Sequence, residues 1–274
     1  MTGVFVLCVL RLVIPQFAAE CVAARLEHAD PTNGLSRFVG YPHGAPDDKF
    51  VPNPSFWAKG IDFSCVSPWN SGGGNLRAGT LISKRHVVFA KHFPLWKGLR
   101  IVFVDGEGNV CPCYIDGKKG IDGTDIMVAS LNAEVTPNIH PAKILPYDWE
   151  KHIGRGEGLP VVRFNQNDEL LLNVLNAMPT NGASSKTATC MMPPTSVAQL
   201  FNRPVMIGDS GNPAFILIGN QPILLFCVFC TGMGSGSSLH RYHYEIQRAM
   251  DDLCPSYHLE TFDFSKIEIP NSRQ

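Results

Sequence analysis

No surplus of charge marks this 274-residue chain: 23 lysines and arginines stand against 24 aspartates and glutamates, for a formal net charge of −1. Without a basic field there is little to attract a nucleic-acid backbone, and no nucleic-acid partner is expected. No internal repeat of about 20–50 residues is visible, which excludes solenoid and propeller arrays. No long apolar run is present either. Thr2 to Phe17 is mostly apolar, but it is short and Arg11 interrupts it, so no stable membrane span is expected. A secretory leader over residues 1–24 is the better expectation, with Val22-Ala23-Ala24 offering small residues for cleavage and export as its consequence. The positive start of such leaders is missing, since Met1-Thr2-Gly3 carries no Lys or Arg.

Glycine (25) and proline (21) are plentiful, which favours turns and short strands over long helices. At 45% hydrophobic residues the chain can bury one large β domain or two small ones. There are nine cysteines: Cys8, Cys21, Cys65, Cys111, Cys113, Cys190, Cys227, Cys230 and Cys254. Loss of a leader near Ala23 would leave an odd number. Cys111-Pro112-Cys113 and Cys227-Val228-Phe229-Cys230 invite a metal reading. Three points oppose it. The C-x-x-C lies in a strand-like run whose alternate side chains face opposite ways. C-x-C is not the usual zinc spacing, and free cysteine packs as a small hydrophobe. No metal and no cofactor are expected. Export would permit disulfides, with no pairing readable from sequence.

Residues 25–60 are rich in Pro, Asn, Asp and Gly and read as irregular wrapping. From Ile61 the pattern changes. Ile61–Val66, Gly79–Ile82, His86–Ala90, Leu99–Asp105, Val110–Ile115, Ile126–Leu131, Leu159–Phe164, Leu170–Ala177, Ala188–Met192, Pro213–Ile218 and Ile223–Thr231 read as short strands separated by turn residues. Leu239–Leu253 has apolar residues at helical spacing. Ser237 and Ser238 are its candidate N-caps, and Pro255 follows its end. The tail 255–274 is polar and is expected to be loosely held.

The most chemically loaded stretch is Gly208-Asp209-Ser210-Gly211-Asn212-Pro213, set between apolar runs. A serine between two glycines on a tight turn is exposed and lets its backbone approach a substrate. Amides in such a turn can converge into a nest for negative charge. An ordinary Asp-Ser-Gly turn between two strands is the plain alternative. A serine hydroxyl is a weak nucleophile without a base, and the usual base is histidine. Leu81 to His92 reads as a strand followed by a turn, which puts His92 at the rim of a β domain.

That segment resembles the L-I-S-x-x-x-V-x-x-A-x-H block of chymotrypsin-like (trypsin-family) serine proteases, whose terminal histidine is the general base. Gly208 to Pro213 matches the G-D-S-G-x-P serine block of the family. Thr124-Asp125-Ile126-Met127-Val128-Ala129-Ser130-Leu131 resembles its D-I-A-L strand, which carries the acid. His92, Asp125 and Ser210 therefore stand in the order of the family, 33 and 85 residues apart. The resemblance covers roughly Cys65 to Leu253. It implies an all-β fold of two packed antiparallel six-stranded barrels with a C-terminal helix, over 61–254 with a boundary near 145–160. It also implies serine endopeptidase activity on a polypeptide substrate, with the oligomeric state left open.

Carried over by position, Ser210 is the nucleophile, His92 the general base and Asp125 the residue that orients it. The amides of Gly208 and Ser210 would form the oxyanion hole. Pro204 and Val205, with Cys230, Thr231 and Gly232, would line the substrate pocket. None of them is charged, which implies an apolar or small side chain in the pocket. His86 competes as base but sits in mid-strand, where a packed histidine is expected. Asp122 competes as acid but lies in the Gly120-Ile121-Asp122-Gly123 turn. Asp105 and Asp116 read as turn residues. Asp209 pairs, in many family members, with a new N-terminal amine after zymogen cleavage. Arg37-Phe38-Val39-Gly40 faintly resembles the R-I-V-G cleavage site, although Phe38 lies 54 residues before His92 and Tyr41 replaces the second glycine. Otherwise Asp209 caps its own turn or pairs elsewhere.

The chain departs from the pattern at Phe89, Lys91 and Phe93, the last in place of a cysteine, and at Leu76-Arg77-Ala78-Gly79. A buried Lys91 would oppose an imidazolium at His92, so Lys91 is expected to face solvent. A catalytically silent binding module on the same fold is the main rival reading. An esterase of unrelated fold would want the serine first of the three, which this order excludes.

Overall fold

The computed structural model describes residues 2–39, 49–68, 78–180, 183–229 and 232–267. Among the described residues strand outweighs helix. A first sheet holds β1 (Thr80–Ser83), β2 (His86–Ala90), β3 (Arg100–Val104), β4 (Val110–Gly120) and β5 (Ile126–Leu131) in the order β1-β2-β5-β4-β3. A second holds β6 (Lys143–Ile144), β7 (Pro160–Phe164), β8 (Leu170–Ala177), β9 (Thr187–Met191), β10 (Pro213–Ile218), β11 (Gln221–Cys227) and β12 (Ser235–Ser237) in the order β12-β9-β8-β7-β10-β11-β6.

The first sheet is curled into a half-barrel, and β4 explains the curl. Its first half pairs with β3 from Val104↔Val110 to Arg100↔Tyr114. Its second half pairs with β5, with a bulge between Ile115 and Gly117. A bulge adds twist and re-aims the strand, so one long strand serves two neighbours at an angle. The strands divide five and seven because β6 joins β11 in parallel, through Ile223↔Lys143 and Leu224↔Ile144. One apolar core joins the sheets: Val87, Val88 and Phe103 of the first share it with Phe164, Phe215 and Leu224 of the second.

Several spans match the alternation of apolar and turn residues, among them β2, β5, β8 and β10. Ile61–Val66 does not form a strand beyond one antiparallel bridge, Val66 opposite Thr80 of β1. Its amides close local turns, Ile61 N–H to the Ala58 carbonyl and Val66 N–H to the Phe63 carbonyl. The Phe63 and Val66 carbonyls accept from the Arg37 guanidinium instead of a neighbouring strand. The C-terminal helix begins as a 3₁₀ turn, Leu239–Tyr242, and continues as an α-helix, His243–Leu253. Ser238 does not cap it with its side chain, because that hydroxyl is engaged by His240. Ile246, Ala249 and Met250 are buried as the helix packs on β4 and β5. The segment after Cys254 is not loose over its described part. Leu259, Phe262 and Phe264 are buried, and the segment exchanges backbone hydrogen bonds with Ile144 of β6, Ile144 N–H donating to the Glu260 carbonyl and Phe262 N–H to the Ile144 carbonyl. Three apolar side chains in a polar run are enough to dock it.

The N-terminal apolar segment forms a helix, Thr2–Leu26, that runs past Ala24. No helix among the described residues is long and apolar enough to cross a membrane. Ile14, Ala18, Val22 and Leu26 recur every fourth residue and are buried, the first two in the core of the second sheet and the last two in the shared core. Excising residues 1–24 would strip three of these side chains from the cores. It is expected to lower stability by about 3 kcal/mol or more, read as a lower urea midpoint than that of the full chain. An unchanged midpoint would show that the helix contributes no packing energy.

Candidate active site

Strand pairing brings the first two candidate residues together. β2 and β5 run antiparallel with Ala90 opposite Ile126. His92 leaves the end of β2 where Asp125 enters β5, and the Lys91 amide donates to the Asp125 carbonyl at 2.8 Å. Asp125 is presented by a tight turn whose Gly123 has φ +68, a region that favours glycine. Thr124 ties that turn: its hydroxyl donates to the Ile121 carbonyl and accepts from the Ile126 amide.

The Asp125 carboxylate then grips His92 twice. One oxygen accepts the His92 backbone N–H at 2.8 Å, and the other lies 2.7 Å from ring Nδ1. An ionised carboxylate only accepts, so Nδ1 carries the proton, and in the neutral imidazole Nε2 presents a lone pair. That lone pair faces Ser210 Oγ at 2.9 Å, within reach for the hydroxyl to donate. The His92 side chain is 47% exposed and that of Asp125 22%, so the pair is open to a substrate on one side.

Ser210 comes from the second sheet, on the turn leading into β10. The turn is laced by backbone bonds: Asp209 N–H to Met206, Asn212 N–H to Asp209, Gly211 N–H to Val228 and Val228 N–H to Asn212. Gly211 adopts φ +88, and a Cβ there would sit 3.6 Å from both the Ala78 carbonyl and the Ala90 amide. The close approach of this turn to the end of β2 is what places Ser210 against His92. Gly208 has φ +103. Among the described residues, neither the Gly208 nor the Ser210 amide donates to a protein acceptor, which leaves both for a ligand.

Beside Asp125 lies a cleft of about 830 Å³ with walls from both sheets. Lys91, Thr124 and Asp125 line one side, and Lys186, Phe229 and Tyr242 the other. Lys91 is exposed. Asp122 lies on the cleft wall and makes no hydrogen bond to His92. His86 is fully buried in β2 with Nδ1 2.8 Å from Ser83 Oγ, and takes no part in the site. Of the pocket residues, Pro204 is exposed, and the Val205 amide donates to the Gly232 carbonyl at 2.8 Å. Cys230 and Thr231 lie outside the described residues. Cys227 is buried near Asp125, and burial pushes its thiol up. Among the described residues Cys21, Cys65, Cys111, Cys113, Cys190, Cys227 and Cys254 are free thiols.

One participant was not anticipated. Arg163, next to last in β7, is fully buried and reaches the carboxylate of Asp209, the residue next to Ser210. The signal was available: a guanidinium amid Pro160-Val161-Val162-Arg163-Phe164 must find an acceptor if that strand is interior. No protein-family model matches this chain, and no curated protein matches it.

Proposed function

We propose that the chain is a serine endopeptidase of the chymotrypsin-like class, acting through an acyl-enzyme. The observation that supports this most is the continuous hydrogen-bond path from the Asp125 carboxylate through His92 to Ser210 Oγ. Its polarity is the one that activation needs. Ser210 Oγ attacks the scissile carbonyl while its proton passes to His92 Nε2, and Asp125 stabilises the imidazolium that results. The carbonyl oxygen becomes an oxyanion opposite the Gly208 and Ser210 amides. Collapse expels the amine, which takes its proton from His92. Water then attacks the acyl-enzyme by the same route in reverse. In this reading β1–β5 belong to a first barrel, the later strands build a second, and the substrate lies in the cleft between them. Pro204, Val205, Cys230, Thr231 and Gly232 line a pocket that takes an apolar or small side chain.

The test is a fluorophosphonate probe on the purified full chain, with the adduct mapped by mass spectrometry. Labelling is expected at Ser210 and is expected to vanish in His92→Ala. A well-folded chain that stays unlabelled both before and after limited trypsin digestion would overturn the reading and leave a silent binding module in its place.

A further inference from the structure

We infer that the site is assembled in the uncleaved chain, with Arg163 supplying the internal counter-charge that other designs obtain from a freshly released N-terminus. This rests on Ser210 being the nucleophile. Asp209 is fully buried beside it. A buried carboxylate without a cation costs several kcal/mol, so its partner decides whether the turn can hold this shape. Its Oδ1 accepts the Gln166 amide at 2.9 Å. Its Oδ2 accepts the Met206 amide at 3.0 Å and Arg163 Nη1 at 3.4 Å. Both oxygens of the carboxylate are thus engaged by the body of the protein.

Arg163 is well placed to hold that position. It pairs with Leu171 of β8 on one side and Ala214 of β10 on the other. Its second terminal nitrogen donates to the Arg203 carbonyl. One guanidinium therefore links the centre of the second sheet to both ends of the 203–209 loop. Displacing Asp209 would leave two opposite charges buried and unpaired, and the loop that presents the Gly208 and Ser210 amides would lose its anchor.

A second, independent observation concerns the only stretch that resembled an activation site. Arg37 is buried, and its guanidinium is bound by both oxygens of Asp168 at 2.9 and 2.6 Å and by the Phe63 and Val66 carbonyls. It also lies over the rings of Phe38 and Phe164, at 5.0 and 4.7 Å. Phe38 is itself buried against Phe50. A protease would have to extract this whole cluster to reach the 37–38 bond. Residues 163–168 join both networks, since Arg163 and Gln166 serve Asp209 while Asp168 serves Arg37.

The experiment labels the full chain with the fluorophosphonate probe after its intact mass has been verified. Uncleaved protein is expected to label at Ser210 with no lag and no gain after limited trypsin digestion. Labelling only after cleavage at Arg37 would overturn the inference and leave the nucleophile assignment standing. Absence of labelling before and after cleavage would instead sink the nucleophile assignment. Arg163→Met is expected to reduce the maximal labelling rate about 100-fold, the loss typical of a displaced oxyanion donor, with the half-saturating probe concentration little changed. A folded Arg163→Lys chain, which keeps a cation opposite Asp209, is expected to recover at least tenfold of that loss. A folded Arg163→Met chain that labels at the wild-type rate, or an Arg163→Lys chain with no recovery, would show that Arg163 is not a positioning residue.

Discussion

Asp125→Asn is expected to slow peptide hydrolysis by about 10⁴-fold while leaving the fold intact. The reason lies in the two bonds that Asp125 makes to His92. The His92 backbone N–H needs an acceptor, so the carbonyl oxygen of an introduced asparagine turns towards it. The amide nitrogen is then left facing ring Nδ1 and can only donate. His92 is driven to the other tautomer, with its proton on Nε2 and no lone pair for Ser210. Ser210→Ala and His92→Ala are expected to cost about as much or more, up to roughly 10⁶-fold, and the double variant little beyond the worse single one, because the groups act as a unit. Asp122→Asn is the control. It lies on the same cleft wall without touching His92, and its rate should stay within about twofold of wild type. The measurement is kcat/KM on a peptide selected from a cleavage library. Equal losses at positions 122 and 125 would reject Asp125 as the orienting acid.

The contrast between what the sequence disclosed and what it hid follows physical range. β2, β5, β8 and β10 are apolar runs between turn residues, so burial and chain punctuation agree and their ends are legible. His92, Asp125 and Ser210 sit at the ends of such runs, but what marks them as one set is the resemblance of three short blocks to a known family, since no spacing or composition links them. β6 and β12 are two and three residues long. They exist only because β11 and β9 offer edges, and nothing in Lys143–Ile144 or Ser235–Ser237 encodes that. β4 continues through Asp116-Gly117-Lys118-Lys119-Gly120, a stretch that reads as turn, because β5 supplies partners beyond the bulge. Ile61–Val66 has strand composition but meets Arg37, from a segment that looked irregular. The Arg163–Asp209 pair spans 46 residues, and each member alone is only a charge in an apolar setting. A partner at that distance leaves no pattern in either neighbourhood of the chain.

Acid is expected to unfold this protein well above the range in which most carboxylates titrate. Two histidines are held neutral inside it. His86 in β2 is fully buried, and burial lowers its pKa to about 4, with the Met250 carbonyl opposing and Arg85 adding to the effect. His240 is buried beside Trp149, and burial again lowers it to about 4, with the Pro179 carbonyl opposing. Trp149 Nε1–H donates to His240 Nε2 at 3.1 Å, so the other ring nitrogen carries the proton and donates to Ser238 Oγ. Protonating Nε2 would destroy the tryptophan bond and bury a charge. Both folded pKa values lie below the unfolded value of about 6.5, so the stability is complete above pH 6.5 and is lost as pH falls towards 4. Each histidine contributes a slope of about 1.4 kcal/mol per pH unit there, and about 3 kcal/mol in all. Together they approach the whole stability of an ordinary domain, about 5–15 kcal/mol. Asp30 and Asp263 are held low by hydrogen bonds, from the Thr32 amide and from Ser265, so their loss begins at more acid pH and does not share this window. Urea midpoints measured between pH 7.5 and 4.5 check the slope. His240→Gln keeps an acceptor for Trp149 and cannot titrate, so it should remove about half of the slope at little cost at neutral pH. A variant with the full wild-type slope would show that His240 is not one of the groups that acid attacks.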